Sequence, residues 1–166
     1  MIESMIVVAL IAILGMLATG SMGGMLGRGR LEGSLSAFVG DLKYARSEAV
    51  TRGHPVSVCP SADGITCVED DAWHRGWIVF SDPAADGHPS SPQSLLRRQK
   101  GWSNTGTFVA TPGTGAITYG RDGFLLRLES SEAVLRAQAP SGPVRCVSIN
   151  RAGRQVVQQM GEGGCA

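Results

Sequence analysis

The chain has 166 residues, of which 43% are hydrophobic and 17% are charged, and its 15 basic and 14 acidic side chains give a net charge of +1. This balance provides no strong overall field to attract a polyanion, so any nucleic-acid role needs a local patch of basic residues. The 23 glycines are about twice the usual share and often stand beside turn-forming residues, which favours a β-rich domain with many tight turns.

An uncharged, largely apolar run occupies residues 4–27. At about 1.5 Å of rise per residue, a helix of this length measures about 36 Å, enough to cross a hydrocarbon core of about 30 Å. We therefore expect residues 1–27 to form the transmembrane half of an N-terminal helix. A cleaved secretory signal is the alternative, because Ala18 and Gly20 are small residues at a suitable spacing, although no basic residue precedes the run.

A single acid, Glu3, stands just ahead of this run. A carboxylate at the edge of hydrocarbon is costly unless it is paired, so Glu3 is a candidate functional residue. A side chain that extends to the lipid headgroups is the alternative explanation.

After residue 28 the apolar residues recur in steps of four and three, which is one face of an α-helix. Gly53 and then Pro55 end the pattern. We expect residues 28–53 to be the amphipathic half of one helix of about fifty residues. Such a stripe is typical of a face that packs on the protein's own sheet, with a partner-binding face as the alternative. Its members are Leu31, Leu35, Phe38, Leu42, Ala45 and Ala49.

Beyond residue 53 the pattern changes to short strands separated by turn residues. Asp122-Gly123 and residues 150–153 are typical of turns, and residues 81–93 are typical of an exposed loop. We expect one β-rich head over residues 54–166. Its predicted strands are 56–59, 76–81, 94–98, 106–110, 116–119, 123–128, 133–139, 145–150 and 154–158.

The four cysteines fall into two local pairs, Cys59 with Cys67 and Cys146 with Cys165, although three connectivities are formally possible. A proline and an Asp-Gly turn between the first two can bring their sulfur atoms together. A zinc site is the competing interpretation, but neither pair has the short Cys-x-x-Cys spacing. Disulfides require an oxidising compartment, so the head is expected to be periplasmic or extracellular.

The order of these features resembles the type IV pilins, and within them the GspH/FimT group of minor pilins and type II secretion pseudopilins. Four stretches carry the resemblance across nearly the whole chain: residues 1–8, 41–49, 58–67 and 76–82. The resemblance implies an α+β, type IV pilin-like fold with one long N-terminal helix packed on an antiparallel β-sheet head. It also implies a single-pass subunit of the bacterial inner membrane with a periplasmic head, N-methylated and assembled with other pilins or pseudopilins into a filament.

Glu3 aligns with an acid five residues into the mature chain of this family, which meets the N-terminal amine of a neighbouring subunit. Two opposite charges buried together offset much of the desolvation that each suffers alone. The family's leader, which a prepilin peptidase removes, is missing from this sequence, so that Met1 falls inside the processing motif. A misplaced start codon is the expected explanation.

The resemblance implies a structural minor pilin that takes part in pilus assembly or priming, with a GspH-like pseudopilin of type II secretion as one alternative. DNA-uptake members of the group are a second alternative, and they carry Gly-Arg-x-Arg near the C-terminus where residues 153–156 here read Gly-Arg-Gln-Val. Arg145, Arg151 and Arg154 lie in the acid-free stretch 133–161 and are predicted to form a basic, DNA-contacting edge. Ordinary surface arginines on a solvated hairpin are the competing interpretation.

A second group of basic residues, Arg97, Arg98 and Lys100, is followed by Trp102, a combination that could stack single-stranded nucleic acid or simply form an exposed strand end. No enzymatic motif stands out, since Ser61 lacks a Gly-x-Ser-x-Gly elbow and a paired base. The acidic residues 69–71 lack the ligand spacing of a calcium loop. We expect no catalytic residues, no cofactor and no metal.

Overall fold

Two helices precede eight strands in the part of the chain that the computed structural model describes, residues 2–19, 22–102, 106–111, 114–128, 131–140 and 142–165. The helices are α1 (Ile2–Thr19) and α2 (Met22–Arg52). Residues 20 and 21 lie outside the described residues, so the expected continuity of one helix falls partly there. Over the ranges described, neither helix combines the length and apolarity needed to cross a membrane.

The predicted end of α2 is confirmed. Gly53 has a φ of +71°, a left-handed conformation that glycine adopts without steric cost. Its N–H donates to the carbonyl oxygen of Ala49 at 3.0 Å, which satisfies one of the last carbonyls of the helix.

The head contains two antiparallel sheets, ordered β3-β2-β1-β5 and β4-β6-β7-β8. The α+β class and the antiparallel pairing expected from the sequence are confirmed. In chain order the strands are β1 (Val56–Pro60), β2 (Gly76–Ser81), β3 (Leu95–Lys100), β4 (Thr107–Ala110), β5 (Ile117–Tyr119), β6 (Glu132–Gln138), β7 (Val144–Asn150) and β8 (Gln155–Gln159).

The strand predicted over residues 123–128 is wrong. Gly123 has a φ of +78°, and the N–H of Phe124 donates to Oδ1 of Asp122, so the chain turns where the strand was expected to begin. Only an isolated bridge between Leu125 and Tyr119 remains in this segment. Phe124 and Leu126 of this segment are exposed, whereas Leu125 and Leu128 pack against the core without forming a strand.

The core lies between α2 and the sheets, and the whole predicted stripe of α2 is buried, which confirms that it packs on the protein's own head. Phe38, at its centre, meets three aromatic rings edge-on. Its ring centroid is 5.3 Å from that of Trp73, 5.1 Å from Trp77 and 4.9 Å from Phe108. Because α2 contacts β1, β2, β5 and β6, this helix is the element on which the two sheets meet.

Candidate assembly surface

α1 presents apolar side chains on all of its faces. Every large apolar side chain described in this helix is more than half exposed, from 51% for Val7 to 74% for Met5. Residues 5–8 are consecutive and therefore extend around a full turn of about 3.6 residues. A helix that is apolar all round is covered by other helices or by lipid in its working environment.

Glu3 lies in the first turn of α1 and is exposed. This places an acidic side chain at the end of the helix that carries partial positive charge. None of the ion pairs among the described residues includes it. Its charge is therefore available to a group from outside the described chain.

Asp41 fastens α2 to the first sheet. Its Oδ2 accepts a hydrogen bond from Nε1 of Trp77 at 2.9 Å, and its Oδ1 accepts one from Nη1 of Arg97 at 3.0 Å. The guanidinium of Arg97 lies 3.6 Å from the ring centroid of Tyr44, one helical turn further along α2. These contacts tie α2 to β2 and β3.

Both local cysteine pairs are disulfides, Cys59–Cys67 and Cys146–Cys165, each with Cα atoms 5.6 Å apart. Since their sulfur atoms are bonded to each other, the zinc alternative is excluded for these residues. Asp63 organises the first loop: its carboxylate accepts hydrogen bonds from the backbone of Thr66 and Ile65 and from the Thr66 hydroxyl, which hold its pKa below the usual range.

The three arginines of the predicted basic edge do not lie together. Arg151 and Arg154 are exposed beside the turn between β7 and β8. Arg145 is at the other end of β7, about 20 Å from Arg151 at about 3.3 Å per residue. The Arg145 side chain is 14% exposed, and its Nη2 lies 3.9 Å from Oε1 of Glu32 on α2. It faces the helix, while the other two face solvent.

The Gly-Arg-Gln stretch at this turn is partly structural. Gly153 has a φ of +73°, and a Cβ there would lie 2.6 Å from the carbonyl oxygen of Gly123. Nε2 of Gln155 donates to the hydroxyl of Tyr119 at 2.8 Å. The close approach accounts for the glycine and the buried hydroxyl accounts for the glutamine, whereas the Arg154 side chain is exposed.

The family model described as type II transport protein GspH matches residues 35–153. The chain belongs to the GspH family. This family is one of structural pilin and pseudopilin subunits, and the matched residues contain the α2 stripe from Leu35 onward, Asp41 and the first disulfide. No curated protein sequence matches this GspH-family chain.

Two solved structures share its fold. A crystal structure of the type IV minor pilin FimU from Pseudomonas aeruginosa is 24% identical over 80% of this chain and 89% of that chain, with a TM-score of 0.61. The minor pseudopilin EpsH of the type 2 secretion system of Vibrio cholerae is 15% identical over 80% of this chain and 99% of that one, with a TM-score of 0.55. The pilin-like fold expected from the resemblance is confirmed.

The Asp41 contacts of this GspH-family chain were not predicted from its sequence. A signal was available, because Asp41 stands three residues after Phe38 and four before Ala45 and therefore lies on the buried face of α2. An acid on such a face requires a buried donor or a cation. The sequence could not identify Trp77 and Arg97 as those partners, since they lie 36 and 56 residues away.

Proposed function

We propose that this GspH-family chain is a structural minor pilin of a type IV filament. It is held in the bacterial inner membrane by a single pass with its head in the periplasm, and it takes part in pilus assembly or priming. The observation that carries the proposal is the exposed apolar surface of α1, which needs a covering that the head does not provide. Inner-membrane lipid covers this surface before assembly, and neighbouring subunits cover it in the filament.

The membrane part of the proposal is supported by the sequence, in which the uncharged run continues over residues 4–27 and so includes residues outside the described helices. The two disulfides support an oxidising compartment for the head. A prepilin peptidase acts on the subunit before assembly. The Asp41 contacts hold α2 on the head, as a subunit with a repeating position in a filament requires.

Glu3 is proposed to pair with the N-terminal amine of a neighbouring subunit, which would set the register between subunits. Glu3→Ala should leave the head folded but reduce the amount of the protein in sheared filaments. Glu3→Gln should have the same effect, because the negative charge of Glu3 is what attracts the amine of the neighbouring subunit. Glu69→Ala, which removes another exposed acid, is the matched control. Normal incorporation of both Glu3 variants would refute the assembly role.

A second candidate function, DNA binding for uptake in natural transformation, is favoured by the exposed Arg151 and Arg154 at one turn. Arg154→Ala should weaken binding of duplex DNA to residues 28–166. It should also reduce the slope of the logarithm of the binding constant against the logarithm of salt concentration by about one, the value for one lost phosphate contact. Arg145→Ala is the matched control, because that side chain faces α2 and is largely buried. Absence of salt-sensitive binding at low salt would remove this candidate.

The third candidate, a pseudopilin acting in type II secretion, is supported by the description of the family and by the likeness to EpsH. Both filament types use the same fold, so fold alone does not separate them. Deletion of the gene separates them: loss of pili with normal secretion supports the minor pilin, and secretion loss with normal pili supports the pseudopilin.

A further inference from the structure

A cavity of about 590 Å³ opens between the first turns of α2 in the head and the end of β3. Arg30 and Ser34 line it from the helix. Gln99, Lys100 and Trp102 line it from the strand and the residues after it. The functions proposed above use none of these side chains, although Lys100 and Trp102 belong to the second basic group noted in the sequence.

The cavity has the chemistry of an anion site. Two of its lining residues, Arg30 and Lys100, are basic and none is acidic, and neither cation belongs to an ion pair among the described residues. Ser34 and Gln99 add neutral hydrogen-bond donors. The Trp102 side chain also lines the cavity, and its Nε1 is buried without a hydrogen-bond partner in the described part of the chain.

The indole is held in place independently of any ligand. Its ring stacks on Phe108 with centroids 4.9 Å apart and an interplanar angle of 11°, and its backbone N–H donates to the carbonyl oxygen of His74 at 2.8 Å. Two cations with neutral donors beside them suit a phosphate, whose oxygens accept several charge-assisted hydrogen bonds at once. The fixed indole ring is therefore a reporter at the wall of a site that the two cations and the neutral donors form.

The position of the cavity indicates which kind of molecule carries the phosphate that binds there. Arg30 is three residues beyond residue 27, so it lies about 5 Å along the helix from the end of the proposed membrane segment. Tryptophan and basic side chains concentrate at this headgroup level, where anionic lipids attract them. We propose that the cavity binds the phosphate of an anionic phospholipid. This proposal rests on the membrane insertion proposed above, and it adds a lipid contact that holds the head at the bilayer surface.

The test uses the full chain, labelled with ¹⁵N at its tryptophan indoles, in zwitterionic micelles titrated with phosphatidylglycerol. The chain has three tryptophans, so Trp102→Phe assigns the relevant indole resonance. We expect a saturable shift of this resonance with phosphatidylglycerol and none with phosphatidylcholine. Arg30→Gln and Lys100→Gln should each raise the midpoint about fivefold, the factor that corresponds to about 1 kcal/mol per basic side chain near an anionic surface.

Arg98→Gln is the matched control, because Arg98 is an exposed cation of β3 that does not line the cavity. An equal effect of Arg98→Gln, a response to phosphatidylcholine, or no saturable shift would overturn the proposal. The same midpoint with free glycerol 3-phosphate would overturn the lipid as the source of the phosphate. Because the titration needs no filament, its failure is distinguishable from failure of the assembly role, which the Glu3 variants test.

Discussion

The hydrogen bonds of Asp41 allow the anchoring of α2 to be tested quantitatively. Asp41→Ala would leave Nε1 of Trp77 buried without an acceptor, which costs about 1–3 kcal/mol. The Arg97 side chain is 49% exposed, so solvent screens its ion pair and the loss of that pair adds only about 0–1 kcal/mol. We expect the free energy of unfolding to fall by about 2–3 kcal/mol, with most of the loss coming from the indole.

A double-mutant cycle separates the two contributions. Trp77→Phe removes the donor but keeps an aromatic ring against Phe38, so in this background Asp41→Ala should cost only about 1 kcal/mol. In an Arg97→Gln background the cost of Asp41→Ala should remain about 2 kcal/mol. The assay is urea unfolding of residues 28–166 with both disulfides intact, followed by far-ultraviolet circular dichroism, since this fragment contains both buried clusters.

The reasoning would be refuted if the costs of Asp41→Ala and Trp77→Phe simply add, because the indole would then not depend on the carboxylate. It would also be refuted if Arg97→Gln abolished most of the effect of Asp41→Ala. That result would make the half-exposed ion pair the dominant contact, against the screening expected at such a position.

Two further predictions concern the stability of the head. Loop separations of 8 and 19 residues correspond to about 2.5 and about 3.2 kcal/mol of loop-closure stabilisation. Replacing Cys146 and Cys165 by alanine should therefore destabilise the oxidised head more than replacing Cys59 and Cys67 does. Chemical denaturation measures both changes in the free energy of unfolding. Burial raises the pKa of Tyr119 to about 12, partly opposed by the hydrogen bond from Gln155. The unfolded chain releases this proton near pH 10, so the folded state loses stability between about pH 10 and 12, and Tyr119→Phe should abolish that part of the loss.

The local patterns of this chain could be predicted because each depends on residues close in sequence. The apolar residues that recur in steps of four and three after residue 28 indicate one buried helix face. Gly53 indicates where this helix ends, because glycine readily adopts the left-handed conformation of a helix end. Eight of the nine predicted strand segments correspond to β1–β8. The ninth failed at Asp122-Gly123, where a turn uses the backbone groups that a strand would pair.

Contacts between distant elements could not be predicted in the same way. Nothing in the alternation of β7 indicates that Arg145 faces Glu32, because that contact depends on which sheet face α2 covers. Likewise the division into two sheets follows from α2 packing against strands of both. The basic edge was therefore predicted as one group of residues although its members lie on different sides of the head.

The basic residues of the head form two groups that lie at different levels along the axis of α2. Nη1 of Arg46 lies 3.5 Å from the carbonyl oxygen of Gly153, so the turn that carries Arg151 and Arg154 is level with residue 46 of the helix. The basic cavity is level with Arg30, which is 16 residues earlier and about 24 Å along the axis. A head held at a membrane or a filament core through its Arg30 end therefore keeps the Arg154 turn at the far end. Assembly through α1 and a contact made by that turn do not compete for the same surface, so the Glu3 and Arg154 variants should each impair one property and leave the other unchanged.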